Sequence, residues 1–356
     1  MSKPSIFYGL VNYGTQSGLF SKKMRDRGFD SLSATLKDKY NRETDFTLDA
    51  SKFSFGNKIV EAILLLPVKL SFFFKYDIFH FFFGKSLLPF NLDLPFYKFF
   101  GKTVFMEYLG NDCQLYKESV EKYKWTNMSH MFSPSEGFAL DKKIKKRMSW
   151  NNKYVAKNIV CAPNYEEFVV NSHILPLAFD LNGSREFPLP DRSDSFKIMH
   201  APTDKNFKGT SYIISAVKQL KAKGYNIELL LVENLSHKEL QKMYIKCHVF
   251  VDQLLCGWYG TAAIEAMSFG RVVVAYMNPE NLKKTNTDNP IVSANPDTIL
   301  SVLENLYKMD SSELNKLSKS HRNYVESLHS VDKVTSKLLK IYDESSSDII
   351  PDKKYN

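Results

Sequence analysis

Short, mostly apolar runs alternate along the second half of the chain with longer stretches in which apolar residues return every three or four positions. The runs at 196–201, 227–232, 248–251 and 271–276 have the length of strands buried on both faces, and 290–294 adds a fifth. Around them, 211–223, 238–246, 261–268, 297–307, 313–328 and 331–342 carry helical spacing, with Gly224 and Gly270 as stops. Strand and helix in alternation predict a parallel sheet covered by helices. The first half keeps the same rhythm: strands at 6–11, 77–83, 102–108 and 158–161, a helix at 19–27 closed by Gly28, and a helix beginning near Glu166. Pro188, Pro190 and the polar residues 191–194 interrupt the pattern as a linker does. With 356 residues in all, the expectation is two α/β domains, 1–185 and 195–329, then a helix at 330–344 and a frayed tail at 345–356.

The densest chemistry lies at 252–277. Val249, Phe250 and Val251 end a strand, Gly257 and Gly260 open a loop, and Thr261 to Ser268 supplies a small-residue helix with a single acid, Glu265. Such a loop presents backbone N–H groups and the positive end of the helix dipole to a phosphate. Glu265, one turn inside, is placed to accept hydrogen bonds from a sugar hydroxyl of the same nucleotide. A tight turn into a packed helix with a satisfied carboxylate reads equally well from the loop alone.

The run Gly-Trp-Tyr-Gly-Thr-Ala-Ala-Ile-Glu-Ala-Met-Ser-Phe-Gly-Arg-Val-Val-Val-Ala resembles the nucleotide-sugar signature of the family 4 retaining glycosyltransferases. That resemblance implies the GT-B architecture: two facing Rossmann-like domains with parallel sheets and an interdomain cleft, the last helix crossing back to the first domain. In the family two Glu residues bracket this loop. Glu265 matches the second, which implies a contact to ribose, and Gly257 stands where the first, a donor-sugar contact, is expected. Gly257, Trp258, Tyr259, Gly260 and Thr261 are the implied donor loop. Lys208-Gly209-Thr210 resembles the Lys-Gly pair that holds the donor diphosphate, with Lys205 as its basic partner. Both lysines would neutralise the leaving diphosphate.

In the first half, Gly14, Thr15 and Gln16 follow a strand and open a helix, which suits an acceptor or phosphate loop, although their spacing is not the dinucleotide fingerprint. Gly110-Asn111-Asp112 follows another strand at the same sheet edge. His80 and Asp112 are the acceptor-side candidates, weighed against a satisfied core histidine and a capping aspartate. The segments around them resemble the acceptor domain of some family 4 enzymes.

Charge and composition refine this picture. The net charge is +9, and residues 1–190 hold 26 Lys and Arg against 19 Asp and Glu. A positive first half suits an anionic membrane surface or a phosphorylated acceptor, and no nucleic-acid motif accompanies it. Residues 53–100 interleave phenylalanines with lysines, and 142–147 is a dense basic helix segment. Core packing explains the aromatics, and so does a membrane interface with the Phe72, Phe73, Phe74, Lys75 run dipping among headgroups. No apolar run approaches the length of a bilayer-spanning helix, and the start of the chain lacks a leader pattern. Four cysteines without metal-ligand spacing point to a reducing cytoplasm.

The expected function is a metal-independent, retaining glycosyltransferase, cytoplasmic or peripheral at the inner face of the cell membrane. It would take a nucleotide-sugar donor and a glycan or lipid-linked acceptor in surface polysaccharide or glycoconjugate synthesis. No obligatory metal is expected, because no Asp-x-Asp pair stands at a strand end, and no cofactor, since the nucleotide sugar is a substrate. A catalytically inactive GT-B partner protein and a nucleotide-sugar epimerase are the alternatives.

Overall fold

A computed structural model describes residues 3–37, 42–54, 56–183, 186–285 and 287–347. It divides into two compact units, each built on a fully parallel sheet. The first unit is assembled from Met1–Gln114, Lys142–Ala178 and Val331–Asn356, the second from Leu115–Asp141 and Phe179–Ser330. Residues 115–141, expected with the first half, therefore cluster with the second. The helix Val331–Ser347 belongs to the first unit, and 348–356 of the expected tail lie outside the described residues.

The first sheet contains β1 (Ile6–Leu10), β2 (Ser31–Leu36), β3 (Phe46–Leu48), β4 (Ile78–Phe82), β5 (Thr103–Tyr108), β6 (Lys157–Val160) and β7 (Ser172–Ile174), in the order β3-β2-β1-β4-β5-β6-β7. The second contains β8 (Phe196–His200), β9 (Ile227–Leu231), β10 (Val249–Val251), β11 (Val272–Ala275) and β12 (Val292–Ser293), in the order β12-β11-β10-β8-β9. Phe196, Ile198, Val249, Val251, Val272 and Val274 point to one face of this sheet. The helix Thr210–Ala222 covers them with Ile213, Ala216, Val217 and Leu220, a stripe at i, i+3, i+4 and i+7. The helix expected near Glu166 is absent. Pro163 starts a single 3-10 turn, Pro163–Tyr165, and the chain soon enters the edge strand β7.

The aromatic segment divides between core and surface. Two helices, Lys58–Leu64 and Leu66–Lys75, precede β4, and the second buries Phe72 and Phe73 while Phe74 stays exposed. Of the basic run, Lys142, Lys143, Lys145 and Lys146 are exposed on the helix Pro134–Asn151. Arg147 turns inward, its Nη2 donating to the Asp112 carbonyl. Among the described residues no helix is long and apolar enough to cross a membrane.

Three buried histidines tie the second unit to a pH range. Burial pushes His200, His248 and His321 down to about 4, below the ordinary imidazole value. As pH falls below about 6.5 the unfolded chain gains protons that these rings refuse, so their stabilisation is present above that value and lost toward pH 4. Asp112, in the first unit and pushed up by burial to about 6, works the other way there, favouring the fold more as pH falls below 6. In the second unit the three rings act in the same direction, so its stability falls as pH drops through that window. Urea midpoints are expected to be lower at pH 5 than at pH 7, and an equal or higher midpoint at pH 5 would contradict the assignment.

Candidate active site

In open parallel sheets, ligands meet the carboxyl ends of strands where the winding reverses. In the second sheet that point lies between β8 and β10, which pair although β9 separates them in sequence. After β8 the chain turns at Asp204, whose Oδ1 accepts from the Phe207 N–H at 2.9 Å and caps the short helix Lys205–Lys208. Gly209, at φ 74°, ends that helix and starts the next in a left-handed conformation that favours glycine.

This turn aims Lys208 at the end of β10. Its Nζ lies 2.5 Å from Asp252 Oδ1 and 2.9 Å from Gln253 Oε1, and the lysine is 7% exposed. The other Asp252 oxygen, Oδ2, accepts from the Gly260 N–H at 2.7 Å, at the start of the helix Thr261–Ser268. A Cβ on Gly260 would stand 3.5 Å from Lys208 Nζ and 3.4 Å from Asp252 Oδ2, in contact with the cluster. Lysine, carboxylate and helix start thus form one buried polar cluster. An incoming phosphate would share Lys208 and the Gly260 N–H with Asp252.

Glu265 lies one turn further along that helix. Its Oε2 accepts from the Tyr244 hydroxyl at 3.2 Å, and its Oε1 from Gln241 at 3.3 Å with His237 Nε2 at 2.6 Å. Tyr244 is fully buried, and burial followed by the nearby Glu265 charge holds its hydroxyl protonated, as a donor. His237 is largely exposed, so its hold on the carboxylate is screened and exchangeable.

The remaining expected donor residues are mostly scaffold. Thr210 is buried against His200, whose Nδ1 faces the Val251 carbonyl at 2.8 Å and must carry the proton. Nε2 of that neutral ring then accepts from the Thr210 hydroxyl at 2.9 Å. Trp258 stacks on Tyr259, and the Tyr259 hydroxyl lies 2.9 Å from that of Tyr324 and 2.8 Å from His329 Nε2. Gly257 has φ 71°, and its carbonyl accepts from the Asn278 N–H at 3.1 Å. A glutamate there would be strained as well as crowded by Asn278. Thr261 is half-buried in the first turn of its helix. Lys205 does not join the cluster and pairs with Glu233 at 3.0 Å near the surface.

In the first sheet the winding reverses between β1 and β4. His80 sits inside β4 and is fully buried, with Nδ1 2.8 Å from the Tyr342 hydroxyl and Nε2 2.8 Å from Glu107 Oε2. The ring is a structural member of the core, not an edge residue. Gln16 is equally occupied, its side-chain amide exchanging hydrogen bonds of 2.9 and 2.7 Å with the Ala178 backbone. Gly14 and Thr15 form the left-handed turn that sets this up.

Asp112 differs from these. Its Oδ1 accepts from the Leu109 and Gly110 N–H groups at 3.0 and 2.8 Å, while Oδ2 is buried without a hydrogen-bonding partner. Burial raises its carboxyl to about 6, against those N–H groups and the pull of Arg147. Asn12 Oδ1, Ser17 Oγ and Arg147 Nε are also buried without partners, the first two just beyond β1. Unsatisfied buried polar atoms are rare in folded proteins, and each calls for a physical explanation. Sequence reasoning missed Asp252, Gln253 and Arg147. An Asp-Gln pair directly after an apolar strand and before a glycine loop was the available signal for the first two. Among the described residues no three His, Cys, Asp or Glu side chains form a group able to hold a metal ion.

No protein-family model and no curated protein matches the sequence. Solved structures do match in fold. Sucrose-phosphate synthase from Thermosynechococcus elongatus aligns over 97% of this chain and 100% of its own, with a TM-score of 0.66 and 13% identity. HepE of Anabaena, in complex with UDP and glucose, aligns over 96% and 100%, with a TM-score of 0.62 and 11% identity. A glycosyltransferase from Rickettsia africae aligns over 97% and 99%, with a TM-score of 0.59 and 13% identity. With its parallel sheets of seven and five strands, the chain has the α/β GT-B fold of these glycosyltransferases.

Proposed function

We propose that this protein is a glycosyltransferase that moves a sugar from a nucleotide-sugar donor to an acceptor hydroxyl, with retention of configuration. The observation that carries the reading is the cluster of Lys208, Asp252 and the Gly260 N–H at the switch point of the second sheet, with Glu265 one turn beyond. Lys208 and the helix start would hold the diphosphate and stabilise its departure. Glu265 would accept from the ribose hydroxyls, releasing His237. Lys205, exposed beside the turn, would add positive charge. The HepE structures, which contain UDP and UDP-glucose, support a nucleotide-sugar donor.

The first unit would hold the acceptor, a glycan or a lipid-linked saccharide, with Asp112 the acceptor-side candidate and His80 excluded by its burial. Departure of the diphosphate while the acceptor attacks the same face of the sugar needs neither an enzyme nucleophile nor an obligatory metal. Surface polysaccharide or glycoconjugate synthesis at the cytoplasmic face of a membrane fits such an acceptor. One observation favours a second reading, a GT-B partner protein without turnover: Asp252 already satisfies both Lys208 and the Gly260 N–H.

A panel of radiolabelled nucleotide sugars, offered with glycan and lipid-extract acceptors in the presence of a chelator, tests these readings. Label is expected to move to an acceptor with its anomeric configuration kept. Conversion of the donor sugar without acceptor would assign an epimerase instead. Stabilisation by UDP without any turnover would assign the partner protein.

A further inference from the structure

We infer that the first unit carries a docking surface for an anionic lipid bilayer, made by the helices Leu66–Lys75 and Leu94–Phe99 and the turn at Phe90. This deepens the membrane part of the proposed function and does not depend on the sugar chemistry. Leu66, Leu70 and Phe74 recur at every fourth position on the outer face of the first helix, whose inner face buries Phe72 and Phe73. Phe96, Phe99 and Phe100 lie outside the second, whose Leu94 and Tyr97 are fully buried. The two outer faces adjoin, because the buried Phe73 ring lies 5.3 Å from that of Phe74 and 5.6 Å from that of Phe100. All six side chains are at least a third exposed, and Phe99 reaches 82%. Contiguous apolar surface of this kind marks an interaction site.

In the chain segment that joins the two helices, Phe90 is 89% exposed and held at φ 57°, a left-handed conformation uncommon for a bulky residue. Buried side chains on either side hold this turn. Asn91 accepts from the Ser86 N–H at 2.9 Å and donates to the Gly84 carbonyl at 2.8 Å. Asp93 accepts from the Leu87 N–H at 2.9 Å, and Trp150 Nε1 donates to the Asn91 carbonyl at 2.9 Å. The framework presents the phenyl ring outward in a fixed place.

Charge selects the occupant. The first unit has 27 Lys and Arg against 18 Asp and Glu, whereas the second has 21 of each, so the whole net charge of +9 belongs to the unit with the apolar face. Within 51–102 there are seven lysines and three acids, of which Lys69 and Asp93 are buried. Lys75, Lys85 and Lys98 are exposed. Aromatic rings below and lysines above suit the boundary between acyl chains and acidic headgroups. A second copy on the same face would set this positive rim against itself.

Co-sedimentation with vesicles of equimolar phosphatidylcholine and phosphatidylglycerol, at low and high salt, tests the inference. Binding is expected, falling but not vanishing as salt rises, and weak to phosphatidylcholine alone. Leu70→Ser, Phe74→Ser and Phe99→Ser together are expected to abolish the salt-resistant part without lowering the urea midpoint. Phe90→Trp is expected to add an emission component that brominated lipid quenches. Wild-type protein left in the supernatant at low salt, or a triple variant that sediments like wild type, would overturn the proposal. So would a dimer in light scattering that the triple variant converts to monomer, because a second copy would then cover the face. UDP-induced thermal stabilisation, read on the same samples, reports the donor site separately. Its absence beside intact lipid binding would reject a uridine-based donor and leave this surface standing.

Discussion

Lys208→Met is expected to lose both stability and turnover, and Lys208→Met with Asp252→Asn to recover the stability alone. In the single variant the Asp252 carboxylate stays buried without its cation, which costs about 3–5 kcal/mol. In the double variant the introduced amide oxygen still accepts from the Gly260 N–H while the uncompensated charge is gone, so urea midpoints should return most of the way. Turnover should stay about 10²–10³-fold down in both, the usual effect of removing one preorganised group that stabilises a developing anion. Because a destabilised protein also turns over slowly, the double variant is the informative one. Near-normal transfer by it would remove Lys208 from the chemistry.

For Glu265→Gln the expected effect falls on affinity. A hydrogen bond to a charged acceptor contributes about 1.5–3 kcal/mol, so UDP should bind about 10–100-fold more weakly by calorimetry. The fold should change little, since glutamine keeps the volume and its carbonyl still accepts from Tyr244. His237→Ala serves as a control that removes an exposed partner and leaves Glu265 charged. Equal UDP affinity in wild type and Glu265→Gln would take Glu265 out of the donor site.

The second sheet was the easier to read because its strands are parallel and buried on both faces, which concentrates valine and isoleucine into unbroken runs such as 272–274. β2 escaped because its buried positions include Ser31, Ser33 and Thr35. Burial there is met by hydrogen bonding: Asp45 Oδ2 accepts from the Ser33 N–H at 2.8 Å and from the Ser21 hydroxyl at 2.6 Å. The helices at 58–75 were hidden by apolar residues on both faces, one packed and one exposed, which blurs a period of 3.6. The glycine loop and Glu265 were visible as a local pattern. The pairing of Lys208 with Asp252 was not, because it follows from β8 lying beside β10, a fact of strand order. The same limit applied to His80, which local sequence placed near a sheet edge and Tyr342 and Glu107 enclose.

The last described helix has a consequence for how the chain folds as it is made. Tyr342 places its ring 4.4 Å from Phe105, bonds His80, and donates to the Tyr8 hydroxyl at 3.3 Å. Until residues 331–347 leave the ribosome, the first unit lacks these contacts, although its seven strands are already complete. The second unit has all of its segments by residue 330. The later-starting unit can therefore close first, and the earlier one waits with Tyr8, His80 and Phe105 uncovered, which makes that interval the one most exposed to chaperone capture and to misassembly.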